Sequence, residues 1–214
     1  MMTDTEKSTI LSAIRQILYC AGCFGVAFLQ HAIAAVCKEK TFDENGILEN
    51  LQLGELLLAC VLFLCVSFIR KNFHKLGIVF ASLCAFAACR ELDSFFDEHI
   101  PLIGWKFAFL FIVLAVGYAM KNWQQTREEL FKFFRHPSFL MMCCAITVII
   151  PVAQCIGHRS FVINVLQMDH VGSIKEFIEE SIETAGYFIL ICSAIELFFP
   201  SPKSNDTKSL PTDH

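Results

Sequence analysis

Charge is what this sequence has least of. Asp, Glu, Lys and Arg make up 18% of the 214 residues, while 55% are apolar. Soluble domains carry about 25% charged residues, so the balance excludes an ordinary soluble enzyme and a disordered chain alike. A mean hydropathy of +0.55 points the same way. The net charge of −4 comes with no basic stripe interleaved with aromatics, so nucleic acid is not among the expected partners. Local signatures of catalysis are missing too. There is no H-E-x-x-H, no H-x-x-x-H, no paired C-x-x-C, no phosphate loop, no G-x-S-x-G and no dinucleotide fingerprint. Any site must therefore be assembled from separate helices.

What is present is long apolar runs. A membrane-spanning helix needs ~20 mostly apolar residues, and six stretches qualify: Arg15–Cys37, Leu53–Ile69, Leu76–Cys89, Leu102–Met120, Phe139–Ile156 and Ile182–Phe199. The third is short unless its last turn carries Glu91. Asn45-Gly46 breaks the first long loop, Pro101 opens the fourth helix, and Pro200 and Pro202 stop the sixth. Pro151 lies inside the fifth run, where it kinks the helix and frees a carbonyl. The first run exceeds the apolar core of a signal peptide, so it is expected to stay as a span rather than be cleaved at Ala32–Ala34. The expected fold is all-α, a six-helix transmembrane bundle over residues 1–200 with a disordered cytoplasmic tail, Ser201–His214.

Sidedness follows from Lys and Arg, which favour the cytoplasmic face. Eleven lie on the side of the two termini and six on the other, so both termini are expected inside. The loop Lys121–His136 reads as a basic amphipathic helix lying on the inner membrane surface. Most of the unusual chemistry then falls on the outer face.

Two acidic segments stand out there. Cys89–Ile100 (CRELDSFFDEHI) closes the third run, and as one helix it puts Glu91, Ser94 or Phe95, and Glu98 on one face, with Asp93 and Asp97 on another. Ile174–Leu190 carries Glu176, Glu180, Glu183 and Tyr187 along one stripe that runs into the sixth span. Ser173 and Glu176 form a capping box at its start. The macrodipole accounts for acids in a first turn, but not for Glu183, which lies further in. Ionisable groups near hydrocarbon are costly and mark functional sites or bundle glue. Glu91, Asp93 and Glu183 are thus the candidate catalytic groups, and His31, Glu91, Asp97, His158, Glu180 and Glu183 a candidate ligand set for a divalent metal such as zinc. Glu55, opening the second span, and Glu196, near the inner end of the sixth, are further ionisable groups in apolar runs. Such a site would bind a cation, and a metal with an open position would activate water against a lipid or another amphipathic substrate. A proton- or cation-coupled carrier and a non-catalytic assembly subunit are the alternatives.

Most of the 11 Cys sit in apolar runs as small packing residues. Cys37, Cys89 and Cys155 lie near span ends, where an oxidising compartment would allow pairing. Cys20-Ala21-Gly22-Cys23 is a lone C-x-x-C in the inner half of the first span, away from that face.

R-E-L-D at Arg90–Asp93 and E-E-S-I-E at Glu179–Glu183, each at a span end, resemble a pattern in small uncharacterised bacterial polytopic inner-membrane proteins. That resemblance implies a multi-pass protein of the bacterial inner membrane and no established activity. Alkaline-ceramidase-like membrane hydrolases offer a chemical analogy only: they have seven spans and a paired-His motif that this sequence lacks.

Overall fold

The computed structural model describes residues 3–37, 46–99, 104–156, 158 and 171–200, and all regular structure among them is helical. Helix α1 runs Asp4–Cys37 and α2 Ile47–Ile69. A short 3-10 turn, Lys71–Phe73, leads into α3, His74–Glu91, and α4 follows at Asp93–His99. A second 3-10 turn, Gly104–Ala108, opens α5, Phe109–Lys121, and α6 spans Trp123–Phe134. Helix α7, Pro137–Thr147, passes through a π-turn, Val148–Val152, into α8, Ala153–Ile156, and the last helix, α9, covers Val171–Glu196.

Five of these segments are long and apolar enough to cross a membrane: Glu6–Val36, Ile47–Ile69, Lys71–Glu91, Gly104–Lys121 and Pro137–Ile156. The third reaches full length by taking Glu91 into its final turn, as its sequence requires. Helix α9 does not meet the same standard, because Glu179, Glu180, Glu183 and Glu196 interrupt its apolar residues. Its position explains the exception. It packs most heavily on α2 and α7 and also on α1, so its acids meet protein where the other helices meet lipid. Tyr187, Ile191, Cys192, Ala194 and Leu197 of α9 are all buried. Large apolar side chains such as Phe24, Phe28, Phe68 and Leu140 are exposed on the surrounding helices, the pattern expected of surface that faces acyl chains.

Contacts fix the helix directions. Gln30 meets Ser181 while Arg15 meets Glu196, so α1 runs antiparallel to α9. Gln52 meets Glu180 and Arg70 meets Phe198, which makes α2 parallel to α9, and α3, packed on α2 after one short turn, runs antiparallel. The bundle therefore has an acidic end, with Glu91 and Glu183, and a basic end, with Arg15, Arg70 and Lys75. The larger apolar core lies toward the basic end around Phe63, Val66, Leu76, Phe133, Met142 and Leu197. A smaller one joins Leu56, Ala88 and Tyr187 near the acidic end.

Pro151 acts through the π-turn that contains it: the ring removes an N–H from the ladder, and one wider turn absorbs the mismatch. That turn packs on Gly186, where a Cβ would stand 2.4 Å from Ile149 Cγ1. At the α2–α3 crossing the close approach is to backbone. A Cβ on Gly77 would lie 2.7 Å from the Phe63 carbonyl oxygen and 2.9 Å from the Ser67 nitrogen. These are backbone atoms, so relief requires the helices to part. Gly77→Ala should destabilise the bundle by about 1–3 kcal/mol, in the range of overpacked cores. Unchanged thermal unfolding in detergent would refute this close approach.

Two expectations about elements need correction. Cys89–Ile100 is not one helix: the chain turns at Leu92 (φ −98°, ψ 25°), and α4 restarts at Asp93. This breaks the shared face expected for Glu91 and Glu98. The segment Lys121–His136 does not merely lie on a membrane surface. Helix α6 buries Thr126, Glu129 and Phe133 against the bundle and leaves Phe131 and Phe134 outward. Helix α9 begins at Val171, before Ser173, and the side chains of Ser173 and Glu176 lie outside the described residues, as does the tail Ser201–His214.

Candidate functional site

At the acidic end, α3 and α9 bring Glu91 and Glu183 to one guanidinium. Arg90 Nη2 stands 3.3 Å from Glu91 Oε1 and 3.7 Å from Glu183 Oε1. Tyr187, one turn beyond Glu183, donates its hydroxyl to Glu91 Oε1 at 2.8 Å. Burial is uneven: Glu183 is 5% exposed, whereas the Arg90 side chain is 46% exposed. The arginine therefore reaches from the surface inward, its stem along apolar surface and its head on the acids. A crevice of about 20 Å³ adjoins Glu91, lined by Glu49, Asn50, Leu53, Glu91 and Leu92. That is room for about one water-sized occupant.

Of the other sequence-derived candidates, His31, Asp93 and His158 are exposed. His31 is exposed on α1, although its neighbour Gln30 is buried against α9. Consecutive helical residues point about 100° apart, so seating one turns the other away. Asp93 is exposed on α4, past the turn at Leu92, and His158 is exposed after α8. Asp97 belongs to α4, and its side chain lies outside the described residues. Glu180 is half-buried, and its carbonyl oxygen accepts from Gln52 Nε2 at 2.9 Å and Thr184 Oγ1 at 2.7 Å. Among the described residues, no group of three or more His, Cys, Asp and Glu is placed to hold a metal ion. The expected zinc-type ligand set is thus not gathered there. Cys89 and Cys155 are free thiols, as are Cys20 and Cys23 of the C-x-x-C, so no disulfide joins them; the Cys37 side chain lies outside the described residues.

Three polar clusters at the basic end were not foreseen. In the first, Arg15 of α1 forms a two-pronged bond to Glu196, Nε to Oε2 at 3.1 Å and Nη2 to Oε1 at 2.8 Å. Tyr19 adds its hydroxyl to Oε2 at 3.0 Å, and the guanidinium lies 4.0 Å from the centre of the Phe199 ring. Arg15 and Tyr19 are four residues apart, hence on one helix face. That spacing within an apolar run was the available signal.

In the second, Glu129 Oε2 accepts the backbone N–H groups of Lys75 and Leu76 at 2.8 and 3.0 Å, capping α3 from another helix. Lys75 itself is buried, donating to the Tyr118 carbonyl at 3.1 Å with its ammonium 4.4 Å above the Tyr118 ring. His74 bridges α2 and α5, with Nδ1 2.9 Å from the Ser67 carbonyl oxygen and Nε2 3.0 Å from the Tyr118 hydroxyl.

In the third, His136 starts α7. Its Nδ1 accepts from Ser138 N–H at 3.3 Å, which leaves Nε2 as the donor to the Phe199 carbonyl at 3.1 Å. Those bonds need a neutral ring, and burial lowers the His136 pKa against the opposing pull of that carbonyl. Ser138 and Ser193 exchange hydroxyl–carbonyl bonds of 2.7 and 3.0 Å across α7 and α9.

These features define a class: an all-helical, multi-pass membrane protein with polar clusters between its helices, several of them on the last helix. The chain matches no family model, no curated protein and no solved structure.

Proposed function

We propose that α9 is a sixth span, that both termini are cytoplasmic, and that the acidic end is an extracytoplasmic cation-binding site. The observation that carries the site is one guanidinium shared by two carboxylates, Glu91 and Glu183. Two negative charges against one positive leave a surplus of one, and a desolvated surplus favours uptake of a proton or metal cation. The crevice beside Glu91 offers an approach. The bacterial inner membrane is the setting that the sequence resemblance suggests.

A metal-dependent hydrolase asks for further ligands beside these acids, and the exposed positions of His31 and His158 do not supply them. A carrier asks for a polar path to the other end. Between Tyr187 and Ser193, however, α9 packs Ile191 and Cys192 into the bundle interior, so we favour cation binding without transport. A second reading, an assembly subunit with no ligand, has its own support in the bonds from Gln30, Gln52 and Ser138 to α9 carbonyls. Such polar contacts also serve as helix glue.

Thermal unfolding of detergent-purified protein, titrated with Ca²⁺, Mn²⁺, Zn²⁺ and Na⁺, separates the two readings. Cation binding predicts saturable stabilisation by at least one ion, about 2.7 kcal/mol at one hundred times its Kd. Glu183→Gln and Glu91→Gln should each remove it while the proteins still fold. Stabilisation by no ion, or an undiminished response in both variants, would leave the assembly reading.

A further inference from the structure

A second polar layer lies deeper, where α1, α2 and α9 meet. Gln30 of α1 donates its carboxamide to the Ser181 carbonyl at 3.0 Å, and Gln52 of α2 donates to the neighbouring Glu180 carbonyl at 2.9 Å. Both glutamines are buried, and Thr184 is fully so. Glu55 follows Gln52 by three positions, one turn further toward the basic end on the same face of α2. It is 9% exposed, and its Oε2 is buried with no hydrogen-bond partner among the described residues. Ser181 Oγ, in the same layer, is the other buried side-chain atom left in that state. The Glu55 carboxylate makes no ion pair among the described residues. Around it α2 offers Gln52, and α1 contributes Gln30. From α9 come Ser181, Thr184 and, further along, the buried Cys192 thiol.

An ionised carboxylate with neither counter-ion nor full hydrogen bonding is among the most costly groups to bury, and a protein removes that cost by neutralising it. Bound protons do this with no rearrangement of the helices. Protonation also turns an orphan acceptor into a donor. The layer lies one turn inside the carbonyls that Gln30 and Gln52 hold, on the acidic side of the larger apolar core, so a proton has a short route to the acidic end and a long apolar one to the other.

We propose that Glu55 is a proton-binding site distinct from the Glu91–Glu183 cluster: a carboxylic acid held neutral between α1, α2 and α9, exchanging its proton with the acidic end of the bundle. Dicyclohexylcarbodiimide tests this on the full chain in detergent. The reagent is apolar and reacts only with a protonated carboxyl, whose O–H adds across one C=N bond. The resulting O-acylisourea rearranges to a stable N-acylurea, and no leaving group is lost. Peptide mass spectrometry should find the adduct on Glu55 at neutral pH. It should exceed that on a fully solvated carboxyl of a reference peptide at least about tenfold, because such a Glu ionises near pKa 4.3. Glu55→Gln should abolish the adduct, and Glu183→Gln should keep it.

Infrared spectroscopy covers the case in which the reagent cannot reach the layer. The protein should show a protonated-carboxyl C=O band at neutral pH that Glu55→Gln diminishes and Glu183→Gln retains. Being neutral and isosteric with the acid, Glu55→Gln should fold with undiminished thermal stability. A neutral-pH band unchanged by Glu55→Gln would overturn the proposal, as would Glu55 labelling confined to pH values below about 5.

Discussion

Replacing Arg15 by Met is expected to destabilise the bundle by about 3–5 kcal/mol, the range for stranding one member of a buried ion pair. Glu196 is 1% exposed, and both of its carboxylate oxygens depend on Arg15. With the guanidinium gone, Tyr19 remains as the other hydrogen-bond partner of that carboxylate among the described residues. Location sharpens the cost. Glu196 is the last residue of α9, where the macrodipole already places partial negative charge, so the acid is unfavourable there without a cation. Met retains most of the apolar stem of Arg, which isolates the charge from the packing. Glu196→Gln should cost less, since it leaves an exposable arginine in place of a buried anion. The double variant should recover much of the loss and so reveal a coupling between the two positions. Thermal unfolding of the four proteins in one detergent measures the cycle. If the two substitutions simply add, the pair does not hold α1 to α9.

That pair also shows where the sequence was readable and where it was not. Hydropathy marked five spans that the structure supports, because burial of backbone polar groups leaves helices as the economical solution in hydrocarbon. It also picked out Glu183, since an acid followed by an apolar run needs an explanation. The stripe of Glu183 and Tyr187 was visible as helical spacing, and its meeting with Glu91 followed from two acidic segments on one side. Partner identity was not visible. In sequence Arg15 is one of the charges that set sidedness, whereas its geometry with Glu196 depends on α1 lying antiparallel to α9 across most of the chain. His31 is exposed for a local reason: Gln30 takes the inward position, and only one of two consecutive residues can. The turn at Leu92 carried no Gly or Pro to announce it. In sequence Glu55 opens a span, and its isolation depends on neighbours from other helices that sequence alone does not place.

Glu129 is the position where sequence and structure differ most, and Glu129→Ala should cost about 3 kcal/mol or more. In sequence it is one acid among several in an amphipathic stretch. In the fold it is buried and occupies the N-terminus of α3, accepting from two backbone N–H groups that no intrahelical carbonyl can serve. Removing it exposes those donors to a dry environment, at about 1–3 kcal/mol for each unsatisfied group. It also withdraws a negative charge from the positive end of the helix dipole. Gln125, which donates to Glu129 Oε1 at 3.1 Å, loses its acceptor as well. Glu129→Gln separates these contributions, because its carboxamide oxygen can still cap while the charge is gone. If capping dominates, Glu129→Gln should retain at least half of the stability lost in Glu129→Ala. If the charge at the helix N-terminus dominates, the two variants should fall together. Hydrogen exchange at the Lys75 and Leu76 amides supplies the local readout: both should exchange faster in Glu129→Ala than in the parent. Slow exchange there in Glu129→Ala would show that the first turn of α3 is held by something other than this carboxylate.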